Sequence, residues 1–361
     1  NNWIGDTSRV FLNGVGLSEQ GTIPHLLFMC FQGTFAIITA ALISGAIVER
    51  MRFSAYLVFI CLWALLVYSP LCHWVWGGGW LADMGALDFA GGTVVHVNAG
   101  AAALVAAIVV GKRKDYPGSG LLPHNVPFTL LGAGLLWFGW FGFNAGSALA
   151  ANGIAALAFT TTMLAPAGTL VVWTILDLVR QQKSTAVGAA TAIVVGLVAI
   201  TPAAGLVGPM SAIALGAIAA VPSYFALILR AKSSLDDSLD VVAAHGVGGT
   251  VGAILTGVFA QKSLNGLADG LLFGNPGQVW IQIVAVAAAI AYSGVMSFVL
   301  LKLIGLVLPL RADSADETAG LDVTQHGEEA YIHERGMTPS STDFRPKSAP
   351  GSYAGSPVSV S

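Results

Sequence analysis

The sequence predicts an all-α polytopic membrane protein, a helical bundle that crosses the bilayer nine times. Three observations predict it. Only 10% of the 361 residues are charged, against about 25% in a soluble domain, and 55% are hydrophobic. The apolar residues gather into nine runs of the length a crossing needs, about 20 residues. Basic residues alternate strictly between the loops at the two ends of those runs.

The runs cover approximately 23–48, 54–75, 89–111, 126–149, 154–177, 185–205, 208–229, 241–260 and 277–310. Lipid offers the backbone no hydrogen-bond partner, so each run must bond within itself as a helix. The last is long enough to tilt or to project beyond the bilayer. The 44 glycines suit helices that pack backbone to backbone. One set of loops holds Arg50, Arg52, Lys112, Arg113, Lys114, Arg180, Lys183, Arg230, Lys232 and Arg311; the other holds Arg9 and Lys262. Ten basic residues against two place the first set, and the C-terminus, in the cytoplasm.

Three regions follow: an extracellular or periplasmic segment 1–22, a transmembrane domain 23–310 and a cytoplasmic tail 311–361. An exterior start with neither a signal peptide nor a methionine reads as cut from a longer chain. The tail composition predicts disorder from about 334 onward, whereas 320–333 has the mixed polar character of a segment docked on the cytoplasmic face.

Several function classes drop out. A net charge of −3 argues against nucleic-acid binding. Cys30, Cys61 and Cys72 lie in apolar runs and read as free buried thiols, with no disulfide framework or metal site expected. No nucleophile–base pair or metal-ligand spacing appears, so neither an enzyme nor a cofactor is expected.

Titratable groups at membrane depth are costly and so point to function. Of seven histidines only His96 and His245 lie well inside apolar runs. A single buried histidine is more often a hydrogen-bonded core residue, but these two share a context. His96 follows Asp88 and FAGGTVV; His245 follows Asp240 and VVAA and precedes GVGGTV. The loop charges run the two helices in opposite directions, as in an inverted repeat with a site near the midplane. Gly248 and Gly252, four apart, also permit close helix packing without any functional role.

Aromatic residues cluster on single helix faces: Phe31 with Phe35, and Trp140 with Phe143 and Ser147. Trp76 sits in WVWGGGW at an outer boundary. Each alone reads as packing or an interfacial anchor. Together, an aromatic cage beside a hydroxyl suits a small cation.

At these residues the chain resembles the Amt/Rh/Mep family of ammonium transporters, in its bacterial Amt branch. The resemblance runs from about residue 20 to about 331. It rests on FQGTFAIITAALISGAIVERMRF, WGGGWLADMGALDFAGGTVVHVNAG, WFGWFGFNAGSALAANGIAALAF and DVVAAHGVGGTVGAILTGVF, with GLDVTQHGEEAY in the tail. It implies an external NH4+ recruitment site at Phe31, Trp76 and Ser147, supported by Asp88. It implies a gate of stacked phenyl rings at Phe35 and Phe143, a pore-lining Trp140, and a twin-histidine pair, His96 and His245, along a hydrophobic channel. It also implies a homotrimer, ammonium or methylammonium as substrate, and PII-type regulatory proteins docking at the basic loops and Gly320–Tyr331. Members of this branch have eleven spans. The nine here align with the third to the eleventh, so the first two are expected to be missing, in keeping with the exterior start.

The residue types suit selection of ammonium over K+, which is similar in size. A bare ion entering low dielectric costs tens of kcal/mol by an idealised Born estimate. Ammonium alone can leave its proton and cross as NH3, and burial favours neutral imidazoles that can bond it. An ammonium sensor would carry a large output domain, for which residues 311–361 leave no room. An Rh-type channel for NH3 or CO2 fits Trp76 and Ser147 less well.

Overall fold

The computed structural model describes residues 1–114, 116 and 123–329. The tail beyond about 334, where disorder is expected, lies outside them, as does Tyr331. Eight of the nine apolar runs hold helices long enough to cross a membrane. These are α1 (His25–Ser44), α2 (Phe53–Asp83), α3 (Gly92–Val110), α4 (Val126–Gly146), α5 (Gly153–Gln181), α7 (Pro209–Ala231), α8 (Val242–Phe259) and α9 (Gly277–Gly305). The run expected at 185–205 holds the shorter α6 (Ala186–Ile200). Pro202, which has no N–H to donate, follows its end, and the chain turns tightly through Ala203 and Leu206.

Helix α3 packs against α1, α8 and α9, and α5 lies along α6 and α7. Close approach needs glycine at two places. A Cβ on Gly100 would lie 2.3 Å from Gly246 Cα, where α3 crosses α8, and one on Gly252 would lie 2.2 Å from Ala199 O of α6. Outward faces carry large exposed apolar side chains such as Ile37, Leu65, Phe138 and Val295, as lipid contact requires. Cys30 and Cys61 belong to such faces and are exposed, and Cys72 is intermediate. This corrects the expectation of buried thiols: an apolar run identifies a span, not which of its sides packs inward.

Helix α9 presents a buried polar stripe to its neighbours. Gln282 pairs with both backbone groups of Leu87, accepting its N–H at 2.8 Å and donating to its carbonyl at 2.7 Å, and donates to Ala253 O at 3.0 Å. Gln278 donates to Gly85 O, Ser293 to Asn98 O, and Ser297 accepts from the Trp63 indole. One helix therefore ties α2, α3 and α8 together.

The basic loops gather at one end, as the charge alternation predicts. Arg50 is fully buried and donates to carbonyls of Gly111, Ala46 and Asp236 and to the Ser238 hydroxyl. Arg113 pairs with Asp236 at 2.8 Å and with Glu49. Burial would raise the Asp236 carboxyl, but the hydrogen bonds from Arg113 prevail and hold it below the ordinary carboxylate range. The tail returns to this end: Arg52 N–H donates to Leu310 O, Phe53 N–H to Gln325 Oε1 at 2.8 Å, and the His326 ring meets Phe53 at 4.7 Å. Residues 320–329 thus lie docked against the α1–α2 loop.

Candidate functional site: a histidine pair behind an aromatic cluster

Each histidine sits in a helical turn widened to five-back bonding, Gly92–Val97 around His96 and Val242–Val247 around His245. Such π turns are rare and often mark functional sites. Ahead of each lies a buried aspartate that receives the helix's unpaired N–H groups. The Asp88 carboxylate accepts from Gly91 (2.9 Å), Gly92 (2.6 Å), Thr93 (2.9 Å) and Val94 (3.0 Å). Ahead of His245 the corresponding residue is Asp237, which accepts from Val242 at 2.7 Å. This corrects the pairing of Asp88 with Asp240, because Asp240 instead forms an ion pair with Arg230 at 2.5 Å. Asp88 precedes His96 by the same eight residues by which Asp237 precedes His245. That equal spacing was the signal in the sequence for the correct pair.

The two imidazoles meet Nδ1 to Nδ1 at 3.1 Å, with ring centroids 5.1 Å apart. They are 1% and 8% exposed, so the contact is dry. A close Nδ1–Nδ1 contact needs one shared proton. With both rings neutral, one Nε2 then carries a proton and the other is a bare acceptor. His96 Nε2 has no partner among the described residues. The pair therefore offers one donor and one acceptor to a small polar molecule, and no negative charge to hold a cation.

Aromatic rings close over it. Trp140 stacks on His96 at 5.4 Å and is held by its indole N–H donating to the Thr201 hydroxyl at 2.9 Å. Phe143 lies 6.1 Å from His96 and 4.5 Å from Phe35. The Phe35 and Phe143 rings lie against each other at an interplanar angle of 37°; Phe35 also meets Phe31 and Trp76 edge-on. Outside them, Trp76 lies 5.5 Å from Phe35 and its indole donates to Asp88 O at 2.7 Å. The Phe31 ring lies against Gly146, next to Ser147, whose hydroxyl donates to Phe143 O and keeps its lone pairs free to accept. All nine residues singled out in the sequence thus belong to one connected group. Asp237, Thr201 and Asn98 are additions that composition and helical faces do not disclose.

Fold and site define a polytopic helical membrane protein with a buried histidine pair beneath a cluster of aromatic rings. The chain belongs to the Ammonium Transporter Family, whose model matches residues 1–331. It is 50% identical over 336 residues to an ammonium transporter of Bacillus subtilis, covering 92% of this chain and 83% of that one. An ammonium transporter of Aquifex aeolicus is 53% identical over 317 residues, covering 88% and 74%. The crystal structure of Candida albicans Mep2 superposes with a TM-score of 0.82 at 36% identity, covering 88% of this chain and 73% of that one. The family is one of membrane transporters.

Proposed function

We propose that this chain carries ammonium across a cell membrane, capturing NH4+ outside and passing NH3 along the histidine pair. The Nδ1–Nδ1 contact, buried behind the Phe35–Phe143 gate, carries the reading. Phe31, Trp76 and Ser147 form the outer site: ring faces attract a cation and the hydroxyl accepts from it. Asp88 supports that site through Trp76. Its carboxylate oxygens are taken up by four N–H groups, so it does not hold the ion itself.

Below the gate the cation meets apolar walls and two neutral rings. A bare ion there costs far more than NH3, so the proton leaves before the neutral molecule passes. The histidines bond NH3 as it goes and can relay the proton through their shared contact. K+ has no proton to leave and is rejected. The chain works as a homotrimer in the plasma or inner membrane, with the arginine-rich end and the tail in the cytoplasm. That face, with the docked segment after Gly320, is where a PII-type regulator would bind.

The test is ammonium flux and K+ current in proteoliposomes for His96→Ala and His245→Ala. Loss of ammonium flux or appearance of a K+ leak, with assembly retained, is the expected result. Full, K+-blind transport in both variants would sink the proposal.

A further inference from the structure

Helix defects in this protein are repaired by side chains. Pro70 in α2 has no N–H for the Leu66 carbonyl, and the Tyr292 hydroxyl donates to that carbonyl at 2.7 Å. Pro166 in α5 leaves the Thr162 carbonyl in the same state, and the Trp137 indole donates to it at 3.3 Å. The widened turn around His96 creates a third such carbonyl. The His96 N–H bonds to Gly91 O, five residues back, and the Asn98 N–H reaches Thr93 O in the same way. Val94 O thereby loses the N–H it would receive in an α-helix, and the Asn98 side-chain amide donates to it at 3.1 Å. Ser293 of α9 holds the same residue from the other side, donating to Asn98 O at 2.8 Å. Asn98 and Ser293 are both fully buried, so no water competes for these bonds.

We infer that Asn98, supported by Ser293, is a positioning residue that locks the widened turn and so aims His96 at His245. Removing the wide turn would shift the helix register by one residue, a rotation of about 100°. His96 would then leave both His245 and the Trp140 face. The second histidine helix has no equivalent, because the residue 149 positions after Asn98 is Val247. The lock is thus specific to the His96 turn. Its effect on transport rests on the reading proposed above; its effect on ring geometry does not.

The experiment compares Asn98→Val with Asn98→Thr in the full chain. The two replacements have nearly the same shape, but a helical threonine hydroxyl can donate to the carbonyl four residues back and valine cannot. Ammonium flux in proteoliposomes is read beside nitrogen NMR of histidine-labelled protein, which reports the proton shared between the two Nδ1 atoms. Asn98→Val is expected to lose the shared-proton signal and about tenfold in maximal flux, the effect of one buried hydrogen bond, with apparent affinity little changed. Asn98→Thr is expected to keep the signal and to stay within about twofold of the parent flux. Equal behaviour of the two variants in the NMR readout overturns the lock. A parent chain that shows the shared proton but carries no ammonium removes the transport reading and leaves the lock to the NMR comparison. Should Asn98→Val fail to assemble, Ser293→Ala decides: a weakened signal supports the lock, and an unchanged one overturns it.

Discussion

The two histidine helices share a plan and differ in how firmly they are held. Each has an aspartate eight residues before the histidine, a widened turn and a glycine at the crossing. Helix α3, with His96, is 78% buried along its span, whereas α8, with His245, is 50% buried. Asp88 receives four N–H groups. Asp237 receives those of Val242 and Val241, and its Oδ1 has no partner among the described residues. Asn98 and Ser293 brace the first turn, while Val247 stands in the second. One half is thus a fixed reference against which the other is set.

The largest expected effect tests that asymmetry directly. Asp88→Ala strands four buried donors at about 1–3 kcal/mol each, enough to remove much of a typical stability. Asp237→Ala strands two. The yield of assembled protein and its thermal midpoint should fall much further for Asp88→Ala. Equal losses would break the comparison.

A smaller effect is expected at the outer site, which is attached to the firm half through Trp76 and Asp88 O. An exposed cation–π contact contributes roughly 0.5–1 kcal/mol and a hydrogen bond about as much, so Trp76→Leu and Ser147→Ala should each weaken apparent ammonium affinity several-fold. Uptake at saturating substrate should change less. An unchanged affinity in the double variant would reduce the cage to ordinary packing.

The smallest effect concerns the loop that precedes the adjustable half. Arg113 holds the Asp236 carboxyl below the ordinary carboxylate range despite burial. A carboxyl lowered on folding stabilises above its unfolded pKa, about 3.9, and loses that contribution as pH falls through the lower folded value. The stability gap between the parent and Asp236→Asn should be constant near neutrality and close on acidification below about pH 4. Thermal melts across that range check it, and a gap that widens in acid would contradict the assignment.

Much of this was legible in the linear chain. Composition and run length specify spans because lipid leaves the backbone no other solution, and loop charge orders them. His96 and His245 stand out because an ionisable group inside an apolar run needs a reason to be there. Helical spacing placed Phe31 with Phe35 on one face of α1 and Trp140 with Phe143 and Ser147 on one face of α4, and the family resemblance supplied the pairing across helices that spacing could not. Local pattern misled where a choice depended on a neighbour. Asp240 is nearer to His245 in sequence, yet Arg230 from α7 takes it, leaving Asp237 to cap the helix. Cys30 and Cys61 sit in apolar runs like any core residue, but they lie on exposed faces that none of the described residues covers.

The sequence by itself determined what must enter the membrane and which polar groups need an explanation there, because desolvation acts on each residue whatever its neighbours. Only the tertiary structure decided which groups answer one another. The 3.1 Å contact between His96 and His245, the Trp140 indole on Thr201 and the Asn98 amide on Val94 O depend on helix register and crossing. Those follow from backbone approach at Gly100 and Gly246 and from the widened turn in each histidine helix, features that packing selects and no local propensity encodes.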